Sequence, residues 1–149
     1  MPEPLRLPRR YRPFGARIAA AVAAVVLVGF TAFIWLALPP SARATFGLAE
    51  RLTVVVIYAA VLAVLNGMFR TSAHADEEGL TVTNGYIRRR FAWPQIVRIS
   101  LGAGRPWALL DLADGTTVSV MAIQGSDGAR ADRATRDLKR VLAERSRPS

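Results

Sequence analysis

At 149 residues the chain has room for one modest domain of about 100 to 200 residues plus a few attached elements, which excludes a second independent core. Its net charge of +9 rests almost wholly on arginine, with Lys139 the single lysine, and favours anionic partners such as phospholipid headgroups or nucleic acid. Cysteine is absent, which excludes disulfides and thiolate metal sites, and the single histidine, His74, has no His or Cys companion with which to hold a metal. Apolar residues make up 52% of the chain but crowd ahead of Phe69, so its first half suits lipid and its second half water.

Residues 1–17 read as a basic cytoplasmic tail carrying Arg6, Arg9, Arg10, Arg12 and Arg17. Ile18 to Leu38 then holds no charged residue, and a helix of that length is about 31 Å long, matching the ~30 Å hydrocarbon core of a bilayer. Trp35 sits at the interfacial level, and Pro39-Pro40 stops the helix. Leu52 to Phe69 is a second uncharged run, near the lower length limit for a span, with Tyr58 inside it and Asn66 near its end. Residues 18–69 therefore predict a transmembrane helical hairpin (18–38 and 52–69), since the remaining chain is too short to wrap both runs in a soluble fold.

A secretory signal is the competing reading, because Ala42-Arg43-Ala44 imitates a cleavage site. The first run exceeds the usual apolar core of a signal, about 7 to 15 residues, and the second helix would still anchor the product. Arginines outside the hairpin outnumber Arg43 and Arg51 within it, so both termini are expected in the cytoplasm of a cell whose membrane the chain crosses twice. Ala16, Ala20 and Ala24, and again Ala59, Ala63 and Gly67, recur at every fourth position and predict a seam between the helices.

From Arg70 the period changes. Arg70 to Ala75 reads as a linker or, preferably, a strand pairing with Leu80 to Thr83, across a turn at Asp76-Glu77-Glu78-Gly79. Asn84-Gly85 predicts a two-residue hairpin loop that sets Thr83 against Tyr86, Val82 against Ile87 and Leu80 against Arg89. Val82, Ile87 and Phe91 then share a face, and Arg89 on that face must reach an open end of the sheet or a partner. Ile96 to Leu101 is the next strand. Trp107 to Leu112 and Thr116 to Met121 form a second hairpin, whose loop Ala113-Asp114-Gly115 pairs Leu110 with Val118 and Ala108 with Val120.

Asp127 is expected to cap a closing helix that runs to about Arg145, with Ala131, Ala134, Leu138, Val141 and Leu142 as its apolar stripe. Asp132 with Arg136, Arg133 with Asp137, and Arg140 with Glu144 lie at ion-pair spacing on its outer face.

The stretches G-L-T-V-T-N-G at 79–85, W-P-Q-I-V-R-I at 93–99 and D-G-T-T-V-S-V at 114–120, followed by a helix, resemble the bacterial pleckstrin-homology-like (PH-like) domain. With the preceding helices, the chain looks like the short membrane proteins of the actinobacterial low-molecular-weight protein antigen group. The resemblance implies an α+β domain over 70–145, two packed antiparallel sheets capped by a C-terminal helix, ahead of a short tail at 146–149. It also implies binding rather than catalysis. Phosphoinositide-binding PH domains carry basic residues in the first hairpin loop, where this chain has Asp76, Glu77 and Glu78.

No acid, base and nucleophile converge on a pattern that would do chemistry, and Gly102-Ala103-Gly104 departs from the dinucleotide fingerprint because Trp107 stands where its third glycine belongs. No enzyme, cofactor or metal site is expected. No helix-turn-helix or aromatic RNA-binding strand supports a nucleic-acid partner. The expected role is a membrane-anchored, non-catalytic interaction module. It would meet the bilayer, an unidentified protein, or anionic headgroups through Arg88, Arg89 and Arg90. The alternative is an exported cell-envelope protein with its domain outside.

Overall fold

The computed structural model describes residues 6–146; residues 1–5 and 147–149, the outer parts of the expected tails, lie outside them. The chain divides into two units, Ala16–Phe69 and a second one formed jointly by the residues up to Gly15 and those from Arg70 onward.

The first unit is helical. Helix α1 (Phe14–Ala37) and helix α3 (Leu48–Arg70) are joined by a short helix α2 (Pro40–Ala44). Both long helices are apolar and long enough to cross a membrane. Arg43 in α2 turns back and donates to the carbonyls of Leu36 (2.8 Å) and Leu38 (2.9 Å), satisfying acceptors that the end of α1 leaves open. At the other end Arg17 donates to the Phe69 carbonyl at 3.2 Å and lies over its ring.

Of the expected small-residue seam, Ala20 and Gly67 are buried and Ala16 and Ala24 partly so, but Ala59 and Ala63 are exposed. The partly covered positions of α3 are instead Tyr58, Val61, Leu65 and Met68. Tyr58 accounts for the turn of the helix: its hydroxyl donates to the Leu27 carbonyl at 3.2 Å and is hydrogen-bonded to the Thr31 hydroxyl. A polar group in so apolar a pair must find a partner, and that requirement outweighs close packing of alanines.

The second unit holds two antiparallel sheets. One has the order β1 (Arg9–Tyr11), β2 (Ser72–Ala75), β3 (Gly79–Asn84) and β4 (Ile87–Ala92); the other has the order β5 (Ile96–Ser100), β6 (Trp107–Leu112) and β7 (Thr117–Gln124). Helix α4 (Ala129–Arg145) packs on β5 and β7, and β7 also lies against β2 and β3. The core is continuous from Ala73, Leu80 and Phe91 through Ile99, Leu110 and Val120 to Leu138 and Val141. Trp93, on a short turn of 3-10 helix between the sheets, is buried there and donates its indole N–H to the Asp76 carbonyl at 3.0 Å.

The expected basic tail is in part a strand. Arg9 pairs with Ala75, Arg10 with His74 and Tyr11 with Ala73, so β1 covers the otherwise open edge of β2. Leu7 and Tyr11 pack against the core.

The first hairpin is shifted by two residues from the expected register. Asn84 pairs with Ile87, Val82 with Arg89 and Leu80 with Phe91, and the loop is Gly85-Tyr86. Gly85 has φ 62° and Tyr86 does not share the positive φ, the pattern of a type II′ rather than a type I′ turn. Asn84 is the reason: its side-chain amide donates to the Ser119 carbonyl (2.7 Å), and its side-chain oxygen accepts the Met121 N–H (3.1 Å), linking the two sheets. Held in the strand, it cannot also be the turn. Ile87 lies on the expected face but beyond the core, 68% exposed.

The second hairpin has the expected register, with Leu110 opposite Val118, Ala108 opposite Val120, and Gly115 at φ 85°. Asp127 does not cap α4, whose N-cap is Gly128. Its carboxylate accepts the N–H groups of Phe14 (3.0 Å) and Gly15 (2.9 Å) instead. Asp137 likewise pairs with Arg9 at 2.9 Å rather than with Arg133, because β1 brings a guanidinium to that side of α4.

Candidate functional site

Arg88, Arg89 and Arg90 lie on β4, the edge strand of the four-stranded sheet, and all three are exposed. Strand alternation divides them. Arg88 and Arg90 share a face with Thr83 and Thr81, whereas Arg89 shares the face of Val82 and Phe91. Arg89 meets the requirement set by its register, since it stays at the open margin with its guanidinium 5.2 Å from the centre of the Phe91 ring.

Arg90 is held by the acidic turn, 3.1 Å from Asp76 and 2.9 Å from Glu78. Asp76 organises that turn by accepting the N–H groups of Glu78 and Gly79, each at 3.0 Å. Burial pushes the Asp76 carboxyl up, but those two N–H groups and the Arg90 guanidinium outweigh it and hold the pKa below the usual carboxylate range. A depressed folded-state pKa means the ionised form contributes stability above the ordinary value of about 3.9, a contribution lost as pH falls through the lower folded value. The stability difference between the parent and Asp76→Asn should therefore be constant near neutrality and shrink at more acid pH, as urea unfolding between pH 3 and 7 will read. A difference independent of pH would show that the charge is not what holds the turn.

A second basic cluster arises only in the folded chain. A cleft of about 260 Å³ opens between the segment Arg9–Arg12 and α4. Arg9, Arg10 and Arg12 line it from one side, and Arg130 and Arg133 from the other, one helical turn apart. Its two carboxylates are engaged: Asp127 accepts the backbone N–H groups of Phe14 and Gly15, and Asp137 holds Arg9. Arg130 stacks on Phe14, 4.3 Å from the ring centre. Among the described residues Arg12, Arg130 and Arg133 have no carboxylate within ion-pair distance. Tyr11 lies beneath with a buried hydroxyl. Burial pushes that hydroxyl's pKa up to about 12, against the opposing pull of Arg9 and with a smaller push from Asp137. The aromatic floor thus stays neutral.

Sequence reasoning missed this cleft because its walls lie more than a hundred positions apart. The signal that could have found it is Arg10-Tyr11-Arg12, an aromatic ring between two guanidiniums, which suits a strand with one buried side.

Two stacked antiparallel sheets closed by a C-terminal helix form the PH-like arrangement. Residues 70–140 match the bacterial PH domain family. The matched stretch covers β2 to β7 and most of α4, whereas β1 and its arginines lie outside it. Uncharacterized protein Mb1452 of Mycobacterium bovis and uncharacterized protein Rv1417 of Mycobacterium tuberculosis are each 38% identical to this chain over 79 residues, which is 53% of it. The match spans 51% of each relative, about half its length. No solved structure gives a significant match. The PH-like domain suggests a non-catalytic interaction module.

Proposed function

We propose that the protein is a membrane-anchored, non-catalytic PH-like interaction module, with α1 and α3 crossing the bilayer and the domain on its cytoplasmic side. It would serve a protein partner at the open edge of β4, or anionic headgroups through exposed arginines that include Arg88 and Arg89. The observation that carries this reading is the pairing of β1 with β2. The apolar pair is inserted between two hydrogen-bonded strands of one domain, so the chain must leave and re-enter on the same side, which an even number of crossings satisfies. Signal cleavage after Ala44 would remove β1 from the sheet, which weighs against an exported product. The excess of arginine outside the hairpin favours the cytoplasm. The likeness to the actinobacterial low-molecular-weight antigen group fits the same layout.

Because the chain lacks cysteine, single substitutions can report topology directly. In intact cells Ser41→Cys, in the short helix α2 that joins the two long ones, should react with a membrane-impermeant maleimide. Val97→Cys, on the exposed surface of the domain, should react only after permeabilisation. The reverse pattern would put the domain outside, and a full-length chain recovered without detergent in the soluble fraction would end the anchored reading.

A further inference from the structure

We propose that the cleft between Arg9–Arg12 and α4 is a binding site for a phosphate group, a reading that rests on the anchored arrangement only for its lipid source. Five arginines line this cleft of about 260 Å³, and the carboxylates that line it are already committed to Arg9 and to backbone N–H groups. Like charges gathered in this way repel, and an anion entering among them relieves that repulsion. Guanidinium forks match the oxygens of a phosphate two at a time, so phosphate is the anion these walls favour.

The two halves of the site play different parts. Arg130 is steadied by stacking on Phe14, and Arg133 is oriented by donating its Nε–H to the Ala129 carbonyl at 3.3 Å. Arg12 is exposed on the facing wall and completes the ring. Helix α1 begins at Phe14, two positions after Arg12, so in the anchored protein this wall is tied by its own backbone to the start of a membrane-crossing segment. A phospholipid headgroup is the nearest carrier of phosphate, and a soluble pyrophosphate offers the same chemistry.

The test uses the full chain in neutral detergent, followed by native mass spectrometry during titration with phosphatidylglycerol, with phosphatidylcholine and, separately, with inorganic pyrophosphate. Binding of phosphatidylglycerol or pyrophosphate should weaken on the order of tenfold in Arg12→Ser/Arg133→Ser. It should be unchanged in Arg136→Ser/Arg140→Ser, which removes equal charge from another part of α4. Thermal midpoints equal to the parent's exclude unfolding as the cause. Dependence seen with phosphatidylglycerol assigns the lipid, and dependence seen with pyrophosphate alone assigns a soluble phosphate; both uphold the site. Equal binding by the parent and the cleft variant, or equal loss in both double variants, would overturn it. The pyrophosphate arm reads the cleft even if the chain proves not to enter membranes, so the two ideas fail separately.

Discussion

Trp93→Ala should lower the unfolding free energy of the PH-like domain by about 3 to 5 kcal/mol, a large share of the about 5 to 15 kcal/mol that a domain of this kind possesses. Trp93 heads the fully buried large side chains, 2% exposed, and lies where the link between the sheets passes through the core. Truncation opens a cavity that the surrounding strands cannot close, because Leu80, Phe91 and Ile96 are each held by strand pairing. The indole also donates to the Asp76 carbonyl, so the loss reaches the acidic turn and its hold on Arg90. Trp93→Phe separates the two contributions. It keeps most of the ring volume and should cost about 1 to 3 kcal/mol for the unpaired carbonyl and the remaining gap. Urea unfolding of the full chain in detergent, followed by circular dichroism, will measure both. A loss below about 1 kcal/mol for the alanine variant would contradict the packing described for this residue.

Gly79→Ala should be the second most damaging single change, although it adds only one methyl group. A Cβ at this position would lie 2.1 Å from the Phe91 carbonyl oxygen and 3.0 Å from the Ala92 Cα, both backbone atoms of the paired strand. Neither can swing aside as a flexible side chain would, so β3 and β4 must part where Gly79 faces Ala92. The same opening breaks the bond from the Trp93 N–H to the Glu78 carbonyl. The expected cost is at least about 1 to 3 kcal/mol, with faster hydrogen exchange concentrated in β4. Gly29→Ala, where an added Cβ meets nothing within 4 Å, is the matching control and should leave the domain's stability unchanged.

The two hairpins show what the sequence could reveal. Around Ala113-Asp114-Gly115 both strands alternate clearly, and only one loop length sets Ala108 and Leu110 against Val120 and Val118, so the register was legible. In the first hairpin, three successive arginines erase the apolar marker of β4. The true register depends on the Asn84 amide reaching a strand more than thirty positions away. A local reading has no access to that contact.

Distance along the chain limited the site in the same way. Arg88, Arg89 and Arg90 stood out because they are contiguous, yet alternation splits them across the sheet and Asp76 with Glu78 engages Arg90. The cleft arginines are scattered in sequence and gathered by the fold. An arginine-rich run ahead of an apolar helix reads as a tail by composition, and only its partner strand, sixty positions on, makes it part of a sheet.

That long interval also sets an order of events during synthesis. Arg9–Tyr11 leaves the ribosome well before Ser72–Ala75 exists, and at about 5 to 20 residues per second several seconds pass before the two can meet. For that time the early strand has no neighbour, and its guanidiniums keep it dissolved and unattractive to other nascent edges. Both apolar helices are made before the sheet can be closed, so completion of the domain waits on the whole helical pair, and a chain stalled after its first helix has nothing to close upon.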